Sequence, residues 1–168
     1  YACAQVIEAL SNYYRETKVQ PYHPHPAALK AGAQMDASHA RLAAYLNVGT
    51  DEVYMGPSTS QNTYVLAQAF ANVLQAGDEI IVTNQDHEAN IGVWHRLAKH
   101  GIVIKEWQVD PKTGALSVDD LDELITPKTK LLAFNHCSNI VAYINPVAEI
   151  CAKAKAAGVI TLVDGVSY

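Results

Sequence analysis

Small, polar and ionisable residues recur in this sequence directly after short apolar runs. Gly56-Pro57-Ser58-Thr59-Ser60 follows Glu52-Val53-Tyr54-Met55, and Asn84-Gln85-Asp86-His87 follows Glu79-Ile80-Ile81-Val82-Thr83. Asn135-His136-Cys137-Ser138-Asn139 follows Lys130-Leu131-Leu132-Ala133-Phe134, and Asp164-Gly165-Val166-Ser167 follows Val159-Ile160-Thr161-Leu162-Val163. Ligands of open parallel sheets bind outside the carboxyl ends of the strands. Repeated delivery of such groups to one sheet edge is a stronger signal than any single motif.

Each segment carries its own chemistry. At Gly56 to Ser60, free backbone N–H groups, a helix dipole and the Ser58 and Thr59 hydroxyls suit a phosphate. An ordinary Ser/Thr helix cap reads the same way. The segment lacks the Gly-Lys-Ser/Thr of a Walker loop and the glycine spacing of a dinucleotide fingerprint. Asp164, at the mouth of a buried strand, needs a partner. A protonated ring nitrogen, a metal or an arginine would serve, as would capping the next element. His87 opens a helix, where it can stack on a ring, move protons or cap. Asn139 sits in a loop, where a plain turn role is equally open. His87, His95 and His100 make no zinc site with any cysteine pair, so no metal site is expected.

The elements that must hold these residues follow from periodicity. The sequence predicts helices over residues 2–17, 27–46, 58–74, 89–100, 117–125 and 146–157. Ser117 is expected to cap the fifth of these, with Asp120 as its box-like partner. Strands are predicted at 52–55, 79–83, 102–107, 130–134 and 159–163. Pro21, Pro24 and Pro26 force a loop between the first two helices. Strands alternate with helices and several are apolar throughout, which predicts an α/β fold with a mainly parallel sheet flanked by helices. We read residues 1–168 as a single partial domain, with N-terminal helices over about 1–48 and a larger α/β part over about 49–168.

Composition narrows the function classes. The chain has 168 residues, 49% of them hydrophobic, enough for a sizeable core. Its net charge of -5 and lack of basic runs give nucleic acid no footprint. No apolar run approaches the roughly 20 residues that span a bilayer. Cys3, Cys137 and Cys151 leave one thiol unpaired in any disulfide scheme, which fits a reducing cytoplasm. Both ends read as cut, since Tyr1 opens what looks like the inside of a helix and Tyr168 follows a strand closely.

Taken in this order, the four segments resemble the fold-type I pyridoxal-phosphate enzymes of the class V aminotransferase group, and within it the cysteine desulfurase and selenocysteine lyase family. The resemblance covers nearly the whole chain. It implies a homodimeric enzyme whose large domain binds pyridoxal 5'-phosphate and which acts on a cysteine-like amino acid. Carried over position by position, Thr59, with Ser58 beside it, matches the phosphate-binding threonine. His87, in Asp86-His87-Glu88-Ala89-Asn90, matches the histidine that stacks on the cofactor ring. Asn139 matches the asparagine near the ring hydroxyl and the substrate carboxylate. Asp164 matches the aspartate that pairs with the pyridine nitrogen, and Ser167 stands where the family has a glutamine near the ring hydroxyl. His87 and Asp164 are thus the expected catalytic groups.

The sequence also departs from the family. Pro57-Ser58-Thr59-Ser60 replaces Gly-Thr-Thr-Glu, and Ile140-Val141-Ala142 stands where a glycine is common, so a divergent branch is expected. By resemblance, the Schiff-base lysine, the persulfide cysteine and the small domain lie beyond Tyr168, so this stretch alone is expected to be inactive. Rival readings are another class V reaction (aminotransferase, epimerase or lyase) and a non-catalytic domain if the chain is complete.

Overall fold

The computed structural model describes residues 2–168 and divides into two compact units, Tyr1–Met55 and Gly56–Tyr168. In the first unit, α1 (Ala4–Asn12) runs into a π-helical turn at Tyr13–Thr17, where one continuous helix is predicted. α1 buries none of its residues, and Val6, Ile7 and Leu10 face outward. α2 spans Pro26–Leu46. Pro26 suits its first turn because the missing N–H would have no helical partner there. The His25 ring caps it, with Nδ1 accepting from the Ala28 amide at 3.4 Å.

The strand predicted at Glu52–Met55 does not form. Thr50–Glu52 is a 3-10 turn in which the Glu52 carboxylate accepts the Gly49 amide at 2.7 Å. Val53 to Met55 joins no sheet, and Tyr54 is 79% exposed. A short apolar run looks alike whether or not a neighbouring strand exists to pair with it. Three strands, not four, therefore present chemistry at their ends, and the Gly56–Ser60 segment enters from a loop.

In the second unit, α3 (Thr59–Ala71) precedes β1 (Glu79–Thr83). Then come α4 (Glu88–His95), a 3-10 segment (Arg96–His100) and β2 (Val103–Trp107). A 3-10 turn at Val118–Asp120, α5 (Leu121–Leu124), β3 (Thr129–Asn135), α6 (Val147–Ala156) and β4 (Ile160–Asp164) complete it. The helix predicted at 89–100 thus tightens to 3-10 geometry after His95. The helix predicted at 117–125 shrinks to a 3-10 turn and α5. Ser117 gives no side-chain cap, and the expected box with Asp120 is absent. Its carbonyl instead accepts the indole N–H of buried Trp107 at 3.1 Å, which satisfies a donor that would otherwise be orphaned in the core.

The sheet order is β2-β1-β3-β4 and every strand pairing is parallel. Alternate side chains point to opposite faces. Ile81, Leu132 and Phe134 pack on one face with Ile150 and Ala154 of α6 and Leu121 of α5. Ile80, Val82, Leu131 and Ala133 pack on the other with Ala67 of α3 and Trp94 of α4. This is the mainly parallel, helix-flanked sheet that the continuous apolar runs predict.

At the entry to β1, the buried Glu79 carboxylate gathers three donors on Oε2. They are Lys105 Nζ at 2.8 Å, Thr126 Oγ1 at 2.6 Å and Thr129 Oγ1 at 3.0 Å. Burial pushes its pKa up, but the hydrogen bonds from Lys105, Thr126 and Thr129 outweigh it and hold the group below the usual carboxylate range. A depressed carboxylate contributes stability that is present above its unfolded pKa and lost as pH falls through its folded pKa. Glu79→Gln should therefore flatten the acid limb of the stability profile below about pH 4.5, as read by denaturant titration at several pH values. Ile81→Ala should cost about 2–5 kcal/mol by the same assay, whereas Ile160→Ala, on a side chain 56% exposed, should cost far less.

Candidate functional site

The sheet order makes β1 and β3 neighbours, although β2 lies between them in sequence. The chain leaves β1 toward one side of the sheet and returns to the other. That reversal is where α/β sheets open a crevice. A cavity of about 420 Å³ lies at this point, lined by the segments after β1, β3 and β4 and by the start of α3. Ser58, Thr59, His87, Asn139, Asp164 and Ser167 all line it. So do Asp86, Asn135 and Cys137, which the sequence places in strand-end segments without singling them out.

The α3 end is built for an anion. The Ser58 hydroxyl accepts the Gln61 amide at 3.2 Å, so Ser58 is the helix cap. Its own proton stays available, because a hydroxyl accepts and donates at once. First-turn amides have no intrahelical acceptor, which leaves the N–H groups of Thr59 and Ser60 for a ligand. Gly56 fixes the approach, since a Cβ there would run into the Asn62 side chain. Thr63 Oγ1 donates to the Ala89 carbonyl at 2.6 Å and ties α3 to the first turn of α4.

His87 is the N-cap of α4, its Nδ1 accepting the Ala89 amide at 3.0 Å. A backbone N–H can only donate, so Nδ1 carries no proton and the neutral ring holds its proton on Nε2. Capping and facing the cavity are thus compatible roles. Asp86 braces this turn, with Oδ1 accepting the His87 amide at 2.7 Å and Oδ2 accepting from Asn90 Nδ2 at 2.6 Å.

Asp164 ends β4, and its Oδ1 accepts the Val166 amide at 2.8 Å. Turn formation thus occupies one oxygen of the carboxylate, while its residue still lines the cavity. The His136 ring stacks on Tyr168 with centroids 3.5 Å apart, joining the segments after β3 and β4. Asn139 and Ser167 are exposed at the rim. Among the described residues, no group of three or more His, Cys, Asp and Glu side chains is placed to hold a metal ion.

Two carboxylates therefore face one cavity. Burial pushes the Asp86 carboxyl up to about 6, against the pull of the Asn90 and His87 hydrogen bonds, and the Asp164 charge adds to the rise. A carboxyl raised in the folded state binds more protons there than in the unfolded chain, so stability falls as pH climbs through the window from about 3.8 to about 6. Asp86→Asn should remove this slope in the cofactor-free protein. Urea titrations at pH 4.5 and 7.5 would show it, the wild type losing stability relative to the variant at the higher pH.

The Aminotransferase class-V family model matches residues 1–168. A cysteine desulfurase of Serratia proteamaculans is 36% identical over 164 residues, covering 95% of this chain and 40% of that protein. An aminotransferase-like protein of Gibberella zeae is 38% identical over 165 residues, covering 96% and 40% respectively. Among solved structures, the Escherichia coli cysteine desulfurase CsdA matches with a TM-score of 0.83 at 28% identity, over 96% of this chain and 41% of that one. The apo cysteine desulfurase of Thermococcus onnurineus gives 0.89 at 26%, over 95% and 40%. The chain thus spans about 40% of the length of these relatives. It belongs to the class-V aminotransferase family.

Proposed function

We propose that this chain is the cofactor-binding part of a pyridoxal 5'-phosphate enzyme of the cysteine desulfurase type. The observation that supports it most is the meeting of Ser58, Thr59, His87, Asn139, Asp164 and Ser167 around one cavity. These residues come from four separate segments.

The residues present fit that cofactor. The cavity falls within the size range of small-ligand sites, roughly 300–1,000 Å³. Its lining includes hydroxyls and the N-terminus of α3, which suit a phosphate, together with the Asp164 carboxylate, which suits a cationic ring nitrogen. His87 brings an imidazole to the same space, for one ring face. Bound pyridoxal phosphate supplies an electron sink for carbanion charge developed on the amino acid. In this reading Asp164 keeps the ring nitrogen protonated, and Thr59, Ser58 and the α3 amides grip the phosphate. His87 covers the ring and holds a proton at Nε2, while Asn139 and Ser167 orient groups at the rim. The overall reaction converts cysteine to alanine and passes the sulfur to a thiol, which becomes a persulfide.

We further propose that the enzyme works as a homodimer in a reducing cytoplasm, a reading supported by three free cysteines and the family resemblance. No helix among the described residues is long and apolar enough to cross a membrane. A second reading is a different class V reaction. It is favoured by the similarity to an aminotransferase-like relative and by Ser167 in place of the family's glutamine.

Two experiments on the full-length protein test the reading. Charge-assisted hydrogen bonds are worth roughly 1.5–3 kcal/mol, so Thr59→Ala should weaken pyridoxal phosphate binding about tenfold to a hundredfold. Gln61→Ala, two positions further into α3, should leave affinity nearly unchanged. Equal affinity in the Thr59→Ala variant would reduce the segment to a helix cap. Asp164→Asn should lower turnover by a large factor while most cofactor affinity survives, because the phosphate contacts remain. Assaying alanine and persulfide release from cysteine separates desulfuration from the other class V reactions.

A further inference from the structure

Beside the cavity, with Asn135 at its wall, lies a buried polar cluster that the proposed chemistry does not use. Gln85, Asn135, Ser138 and Asn145 are each at most 5% exposed. They come from the end of β1, the end of β3 and the loop that follows β3. Asn145 Nδ2 donates to Gln85 Oε1 at 2.6 Å and to the Asn135 carbonyl at 2.8 Å. Gln85 Nε2 donates onward to the Gly114 carbonyl at 2.5 Å. Ser138 Oγ donates to the Gln85 carbonyl at 3.1 Å, and Asn135 Nδ2 reaches the same oxygen at 3.4 Å.

The same cluster shapes the loop that carries Asn139. Ser138 Oγ accepts the amides of Ile140 and Val141, each at 3.3 Å, and so wraps the turn around Asn139. The Asn145 backbone N–H donates to the His136 carbonyl at 2.8 Å and closes the base of the loop. Ala142, within it, adopts φ 54°, a left-handed backbone that a residue with a Cβ holds only when its surroundings impose it. Asn145 Oδ1 is buried with no partner. An apolar side chain would avoid that penalty, so what Asn145 contributes is the pair of hydrogen bonds it donates.

We propose that Gln85, Ser138 and Asn145 are positioning residues for the reaction, a buried amide clamp that locks the β1 and β3 ends to the Asn139 loop and sets Asn139 at the cavity rim. The inference rests on the proposed role of Asn139 toward the ring hydroxyl and the substrate carboxylate. None of the three lines the cavity, so each acts through Asn139 rather than on a ligand.

The test uses the full-length protein, pyridoxal phosphate and L-cysteine, with Asn139→Ala, Asn145→Ala, Ser138→Ala and the double variant Asn139→Ala/Asn145→Ala. KM, kcat and the visible absorption maximum of the bound cofactor are read at saturating cofactor. Asn145→Ala and Ser138→Ala should each raise KM several-fold, up to about tenfold, in proportion to a lost orienting contact. They should also shift the absorption maximum in the same direction as Asn139→Ala. The double variant should be no worse than Asn139→Ala alone, because residues acting through one contact do not add. Ser138→Ala removes a single oxygen and carries the test if Asn145→Ala does not fold. Additive losses in the double variant would overturn the clamp, as would wild-type KM and spectrum in Ser138→Ala while Asn139→Ala is impaired. An unimpaired Asn139→Ala would overturn it too, leaving the cofactor reading intact. A wild-type protein that takes up no pyridoxal phosphate would overturn both together.

Discussion

A strand covered by helices on both faces can present polar groups only at its ends. β1 is buried along its whole length, and β3 along nearly all of it. Their side chains feed the two cores alternately. The polar groups of these strands therefore gather at their two ends, with Glu79 and its donors at the entry and the segments past Thr83 and Asn135 at the carboxyl edge of the sheet. The sheet order places these two strands side by side and opens a crevice between the connections that leave them. The cavity is a consequence of this burial and strand order, with Asn135 and Asp164 held by the strands they end and Asn139 and Ser167 on exposed segments at its rim.

Within the cavity, charge is sorted by element. Helix N-termini are positive ends, and α3 and α4 both begin at its wall with side-chain caps, Ser58 and His87. Carboxylates come from the strand ends, as Asp86 after β1 and Asp164 at the end of β4. A ligand carrying an anionic group and a cationic ring would satisfy both kinds of wall, which is why the proposed cofactor suits the site better than either charge alone. The capping roles do not compete with ligand binding. Ser58 accepts with a lone pair and keeps its proton, and His87 accepts through Nδ1 and keeps Nε2.

The sequence carried more of the fold than of its local detail. Continuous apolar runs at 79–83 and 130–134 announced strands buried on both sides, and both formed in parallel pairs. The run at 52–55 looked the same and failed, since a strand needs a neighbour and apolarity alone supplies none. Ser117 read as a cap, yet the indole of Trp107 claimed its carbonyl. Helix ends shifted at His95 and at Thr17, where the last turns changed to 3-10 and π geometry. Such changes depend on what packs against a turn, which spacing along one element does not encode.

By itself, the sequence determined which residues follow each apolar run, and hence that His87, Asn139 and Asp164 would meet at one sheet edge, whereas Thr59 reaches it from a loop and the start of α3. Chain connectivity and strand burial suffice for that. Only the tertiary structure decided how they are held. Gln85 and Asn145 lie 60 positions apart and join through one hydrogen bond, and the raised Asp86 carboxyl owes its state to burial and to Asp164, far along the chain. Pairings of this kind arise when β1, β3 and β4 become neighbours. Strand order is a property of the folded sheet, and the physical reason it escaped the linear reading is that no local periodicity records which strands lie side by side.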